Sequence, residues 1–213
     1  MSEPAARLLA LDLDGTLVDW GAAFGVWADA TLPEGYDRAW VLERNARGFT
    51  PRDEFLGAVR ERFGLEATVP ELLEDYRRVT WTAMRPVEGV VAERLRALRA
   101  AGWKVACVTN GETLVQPRTL ERIGAGPFLD ATIVSETVGV RKPDPRILEL
   151  AAEACGVALD GAWMIGDSDV DVAVGAAAGA TTAWIADGQE WTRTDLAPDH
   201  VVRTLADALA LVA

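Results

Sequence analysis

The chain is poor in the residues that several common enzyme chemistries require. It has one histidine, His200, and two cysteines, Cys107 and Cys155, in 213 residues. A single imidazole leaves no material for a histidine-dependent triad or a multi-histidine zinc site. His200 lies in PDHVVRT, which reads as a surface or strand-edge segment. The cysteines sit in the apolar contexts KVACVTN and AAEACGV. They are expected to be buried free thiols in a reducing, cytoplasmic setting rather than a disulfide framework. No run of 18 uninterrupted apolar residues occurs, so no membrane span is expected. The opening MSEPAARLLALDLDG lacks a basic region followed by a long apolar segment, so no secretory signal is expected either. Positive charge is scarce: 21 Lys and Arg face 33 Asp and Glu, a net charge of −12. Long-range attraction to nucleic acid or anionic membrane is thereby disfavoured. A phosphorylated small molecule stays possible, because a metal ion or a few cations reverse the field locally.

What the chain does have is a strand–helix alternation. Half its residues are hydrophobic, enough for one sizeable core or one core and a small appended domain. Residues 8–12, 104–109, 131–135, 162–166 and 181–186 read as buried strands, and HVVRT as a short last one. Helical segments lie between them. GVVAERLRALRAAG places Val91, Leu95 and Leu98 on one face and stops at Gly102. PDPRILELAAEACG starts near Pro145, buries Ile147, Leu148 and Ala151, and stops at Gly156. Strands alternating with helices imply a doubly wound parallel sheet. Residues 16–84 break this rhythm with four helical segments and no strand. Thr50–Pro51 there reads as an N-cap followed by a first-turn proline. Four of the eight tryptophans, Trp20, Trp27, Trp40 and Trp81, fall in this insert and are expected to pack helix on helix. The expected organisation is a Rossmann-like core at 1–15 and 85–213 with a helical cap at 16–84.

Ligands of open α/β sheets bind beyond the carboxyl ends of the strands. The first strand ends in Asp12-Leu13-Asp14-Gly15-Thr16. A strand would place Asp12 and Asp14 on one face. The second ends in Thr109-Asn110-Gly111, the third leads to Lys142, and the fourth ends in Gly166-Asp167-Ser168-Asp169-Val170-Asp171. Carboxylates without histidine make a hard oxygen site suited to Mg²⁺. The Thr109 hydroxyl and the amides of Asn110 and Gly111 suit phosphate oxygens. Lys142 holds negative charge together. A carboxylate attacking phosphorus forms an aspartyl-phosphate. Each piece alone has an ordinary structural reading as a cap, a turn or a solvated loop. Four of them in this order, each after a predicted strand, do not.

DLDGTLVD, VTNG, GVRKPDP and GDSDVD resemble the four motifs of the haloacid dehalogenase-like hydrolase superfamily, in the group with a helical cap after the first motif. The resemblance spans nearly the whole chain. It implies Asp12 as nucleophile, Asp14 as general acid/base, and Thr109 with the Asn110 amide as phosphoryl ligands. It implies Lys142 as charge balance, with Mg²⁺ on Asp12, the Asp14 carbonyl and Asp167, and Asp171 supporting from behind. Asp169 is expected to be a solvated loop residue and Asp19 a surface or hinge residue. The implied activity is Mg²⁺-dependent hydrolysis of a small phosphomonoester. Alternatives within the family are a sugar phosphomutase or a 2-haloacid dehalogenase; outside it, a receiver-like phospho-acceptor domain. Asp14 disfavours dehalogenation, because a halide leaves without a proton. No lysine occurs in residues 1–103, which disfavours the members that form a Schiff base on a cap lysine. In the cap, Arg44 and Arg47 are i,i+3 neighbours, expected either to bind an acidic substrate group or to pair with Glu43 or Asp37 on a solvated face. Trp20 and Phe24 are candidates for shaping the pocket. The motifs name the chemistry but carry no readable code for the substrate.

Overall fold

The structure, a computed structural model, describes residues 6–45 and 50–212. The chain enters as strand β1 (Arg7–Leu11) and then forms helices α1 (Trp20–Thr31), α2 (Arg38–Asn45), α3 (Arg52–Phe63) and α4 (Val69–Ala83). Alternation follows: α5 (Gly89–Ala100), β2 (Trp103–Thr109), α6 (Gln116–Arg122), β3 (Ala131–Val134), the one-turn α7 (Ser135–Val138), α8 (Arg146–Cys155) and β4 (Ala158–Gly166). It closes with α9 (Asp169–Ala177), β5 (Thr181–Ile185), β6 (His200–Val202) and α10 (Leu205–Leu209). Two compact units result: the described residues up to Val18 together with those from Pro86 onward, and Asp19–Arg85.

The first unit is built on one parallel sheet in the order β3-β2-β1-β4-β5-β6. β1 is central, with Leu9 beside Val105 on one side and Trp163 on the other. Leu8 to Leu11 are all fully buried, because both sheet faces are covered. That is why this strand reads as a continuous apolar run. On one face Leu8, Ala10, Val108 and Met164 pack with Ile147, Leu148 and Ala151 of α8. Full burial of each large aliphatic side chain contributes roughly 1.5–3 kcal/mol. β4 begins four residues earlier than the apolar pattern indicates, at Ala158, where its exposed start still pairs with Arg7. β1 ends one residue earlier, at Leu11, and the chain then turns. Gly15 N–H donates to Val18 O, and Val18 N–H to Leu13 O. This turn ties Thr16, Leu17 and Val18 to the sheet unit, three residues beyond the expected boundary.

The second unit packs α1, α3 and α4 around Phe24, Trp27, Phe55, Leu56, Val59 and Leu72. Aromatic edges meet faces there: Trp27 and Tyr76 lie 5.2 Å apart at 71°. Asp19 is the exposed N-cap of α1 and accepts from Ala22 N–H at 2.8 Å. Thr68 and Glu71 form a capping box at the start of α4.

Several local expectations need correction. Thr50 does not cap α3; Pro51 takes that position, and the Thr50 hydroxyl donates to the Arg44 carbonyl instead. Trp27 is fully buried, but Trp81 is 38% exposed. Phe24 is a core residue of the helical unit, its ring within 6.4 Å of Trp27, Phe55 and Tyr76. Trp20 is half-buried at the head of α1. Arg44 pairs with Glu54 of α3 at 2.8 Å rather than with Glu43 or Asp37, whereas Asp37 is taken by Arg62. Arg47 lies outside the described residues. Both cysteines are free, and Cys155 is only half-buried.

Candidate active site

The strand ends deliver the motif residues to the carboxyl edge of the sheet. Asp12 follows β1 directly. Its N–H donates to Ile165 O of β4 at 2.9 Å, so the backbone stays in sheet register one residue past the strand. The residue is 5% exposed. Lys142 Nζ donates to Asp12 Oδ1 and to Asp171 Oδ1, each at 2.6 Å, and all three side chains are buried. Asp171 serves twice. Its Oδ2 accepts from the N–H and hydroxyl of Ser168, forming the capping box that starts α9. The reading of GDSDVD as a helix start and the reading as a site are therefore the same structure.

One ammonium between two buried carboxylates leaves a deficit of positive charge. Burial alone would lower the Lys142 pKa, but Asp12 and Asp171 outweigh it and push it up, so Lys142 stays charged. Burial pushes the Asp12 carboxyl up to about 8, with the charges of Asp171 and Asp14 adding to it and Lys142 opposing. Asp12, Asp167 and Asp171 each place a carboxylate oxygen so that all three lie within 4.8 Å of one another. An all-oxygen donor set with unneutralised buried charge fits a hard divalent cation. Asp171 already gives its oxygens to Lys142 and Ser168, which leaves Asp12 and Asp167 as the better-placed side-chain ligands.

Gly15 makes this arrangement possible. It has φ +88°, and a Cβ there would come within 2.2 Å of Asp167 Oδ2. The backbone after Asp14 thus runs against Asp167, and only glycine permits that approach.

Asp14 is not on a strand face with Asp12. It sits in the turn, half-buried, bridged to Val18. Its Oδ2 accepts from Gln116 Nε2 at 2.7 Å, and the same nitrogen donates to Thr109 Oγ1 at 3.0 Å. Thr109, the last residue of β2, is fully buried. Asn110 acts through its side chain: Oδ1 accepts from Lys142 N–H at 2.8 Å, and Nδ2 donates to Lys142 O at 2.9 Å. This reciprocal pair fixes the backbone that carries the ammonium. Gly111 is pressed by Gln116, whose Nε2 would lie 2.0 Å from a Cβ. Asp169 is exposed and pairs with Arg193 at 3.3 Å.

Three contributors escape a reading by motif. Gln116 sits in LVQPR at the start of α6, where nothing in the pattern separates it from a surface polar residue. Trp184 reads as a strand residue, but its indole N–H donates to Asp167 O at 2.9 Å and supports the loop after β4. The side-chain role of Asn110 is invisible because its partner lies 32 residues away. His200 stacks on Trp163 at 5.2 Å in edge strand β6, away from these groups in the sheet order.

Comparison with known proteins agrees with this geometry. A family profile described as haloacid dehalogenase-like hydrolase matches residues 6–179. Pyrophosphatase PpaX of Halalkalibacterium halodurans is 29% identical over 212 residues, covering 94% of each chain. Phosphoglycolate phosphatase of Vibrio vulnificus is 27% identical, covering 100% of this chain and 98% of its own. The crystal structure of the putative HAD-hydrolase YfnB from Bacillus subtilis, bound to magnesium, superposes with a TM-score of 0.74 at 24% identity, covering 98% of this chain and 99% of its own. With the profile match running from before Asp12 to beyond Asp171, the chain belongs to the haloacid dehalogenase-like hydrolases.

Proposed function

We propose that this hydrolase is a Mg²⁺-dependent phosphatase of small phosphomonoesters, acting in the cytoplasm through an aspartyl-phosphate on Asp12. The observation that carries this reading is the placement of two carboxylates on one short segment in different settings. Asp12 is buried against Lys142, and Asp14 accepts a hydrogen bond from Gln116. The relatives named pyrophosphatase and phosphoglycolate phosphatase support the class.

Asp12 attacks phosphorus. The new Oδ–P bond forms as the P–O bond to the leaving group breaks, and Asp14 gives its proton to the departing oxygen. Asp14, now ionised, takes a proton from water, whose oxygen bonds to phosphorus as the Asp12 Oδ–P bond breaks; inorganic phosphate leaves, with Asp12 again a carboxylate and Asp14 again protonated. Lys142 favours the ionised form of Asp12 against the burial that raises its pKa, and shares the charge of the transferring group. Thr109 and the amides of Asn110 and Gly111 receive the phosphoryl oxygens. Asp12, the Asp14 carbonyl and Asp167 would hold Mg²⁺, which when bound supplies positive charge to the phosphoryl oxygens and the carboxylates around them. The helical unit Asp19–Arg85 is assigned the role of cap, the part that sets substrate choice in this family. The free thiols of Cys107 and Cys155 suit a reducing compartment, and no helix among the described residues is long and apolar enough to cross a membrane.

The test is hydrolysis of p-nitrophenyl phosphate with added Mg²⁺, followed by a panel of phosphorylated metabolites. Turnover that disappears in Asp12→Asn supports the reading. Full activity in excess chelator overturns the metal assignment, and unchanged turnover in Asp12→Asn overturns the nucleophile.

A further inference from the structure

Gln116 stands out among the polar groups around the acidic turn because it joins two elements the reaction must coordinate. It is the first residue of α6, and its side chain is 4% exposed. A buried carboxamide needs partners. The two that Nε2 finds are Asp14 Oδ2, 102 residues away in sequence, and Thr109 Oγ1. Gly111 gives up its side chain so that this amide fits, since a Cβ there would meet Nε2, Cδ and Cγ of Gln116 within 2.5 Å.

The donor chemistry assigns roles to the neighbours. An NH₂ group only donates. Thr109 Oγ1 is therefore the acceptor in its bond with Gln116, and its own hydroxyl proton is left to be given to an anionic ligand. Asp14 Oδ2 is likewise an acceptor, so the amide fixes the orientation of the Asp14 carboxyl group. One amide thus orients both the Asp14 carboxyl group and the Thr109 hydroxyl that receives the phosphoryl group.

We propose that Gln116 is a positioning residue for general-acid catalysis, acting through Asp14 and, by the same nitrogen, through Thr109. The proposal rests on the phosphatase reading above and extends it to a residue outside the four motifs. It makes a claim that a purely structural role does not. The step that Asp14 assists is protonation of the leaving oxygen as the Asp12 Oδ–P bond forms. Phenolate needs that proton. 2,4-Dinitrophenolate is stable enough to depart without it. Because kcat/KM reports events up to leaving-group departure, it separates this step from later hydrolysis of the phospho-enzyme.

The experiment compares kcat/KM for phenyl phosphate and 2,4-dinitrophenyl phosphate in the wild type and in Gln116→Met, which keeps the volume and removes the donor. General-acid assistance is typically worth 10²–10⁴-fold, so a misaligned acid is expected to cost phenyl phosphate about tenfold or more. The dinitrophenyl ester is expected to lose less than about threefold, the share carried through Thr109. Asp14→Asn sets the reference for a lost acid. Adding Gln116→Met to it is expected to leave the ratio between the two esters unchanged, since the two residues act as one unit. Gly111→Ala displaces the same amide by a different route and is expected to show the same ester dependence, which keeps the test valid if Gln116→Met folds poorly. Equal losses on both esters in the single variants would overturn the proposal. So would a further change in the ester ratio in the double variant. A wild type that hydrolyses neither ester would instead overturn the phosphatase reading.

Discussion

Replacing Lys142 with methionine tests the electrostatic centre of the site directly. The side chain is buried, 4% exposed, and its Nζ is 2.6 Å from both Asp12 and Asp171. At an effective dielectric constant near 20, a unit charge pair at 4 Å is worth about 4 kcal/mol. Desolvation of the ammonium offsets much of that gain in the wild type. Methionine retains most of the packing but leaves two buried carboxylates facing each other with no cation between them. Removing one partner from a buried ion pair costs about 3–5 kcal/mol, and because this ammonium serves two acids, the upper end is expected. For a chain of this size that corresponds to a fall in Tm of roughly 10–20 °C. The assay is urea unfolding in chelator at pH 7, followed by tryptophan fluorescence, to which Trp103, Trp163, Trp184 and Trp191 of the sheet unit contribute. The sign with pH is also fixed. Burial already raises the Asp12 carboxyl to about 8 with Lys142 in place, above an unfolded value of about 4. The penalty is therefore present above that value and shrinks as pH falls and one acid takes a proton. Adding Asp171→Asn removes one of the facing charges and is expected to recover most of the loss. A penalty under about 1 kcal/mol, or no recovery in the double variant, would refute the account of Lys142 as the cation that holds this site together.

Gly15→Ala is expected to weaken divalent-cation binding at least tenfold by calorimetry while the sheet unit still unfolds cooperatively, because its Cβ displaces Asp167; unchanged affinity would show that Asp167 is not a ligand. Trp184→Phe removes the indole donor to the Asp167 carbonyl, at 2.9 Å, and is expected to cost about 1 kcal/mol in urea unfolding; no loss would mean that water replaces the bond. Asp130 is held below the ordinary carboxylate range: burial opposes this, but Arg99, the Val105 N–H and Lys104 outweigh it. Its contribution is full above the unfolded value near 4 and fades as pH falls through the lower folded value. Asp130→Asn should therefore flatten the acid limb of the urea stability–pH profile, and an unchanged limb would show that its partners contribute nothing net.

Periodicity was enough to identify the strands and the helices between them because those signals are local. Leu8 to Leu11 read as a two-faced buried strand, and Ile147, Leu148 and Ala151 as one helical face, for the same reason that they are buried. Element ends were less legible. The polar start of β4 is held by a neighbour strand rather than by its own pattern, and Thr50 bonds backward to Arg44 rather than forward into α3. The tryptophans of the helical unit show the same limit: composition predicts that they pack, but only helix rotation decides that Trp27 is buried and Trp81 exposed.

What the sequence determined by itself was the class of chemistry: acids, threonine and lysine following successive strands, with a single histidine and no lysine in residues 1–103 to support the competing mechanisms. That follows from residue identity and order, because a parallel sheet brings all its carboxyl ends to one edge whatever the loops do. What the tertiary structure decided is which atom serves which. It committed Asp171 to Lys142 and Ser168 at once, turned the Asn110 side chain to the Lys142 backbone, and set Gln116 between Asp14 and Thr109. Those assignments depend on distances of 2.5–3.0 Å between residues mostly far apart in the chain. A hydrogen bond forms only over such short distances and with aligned atoms, and only the folded packing supplies both.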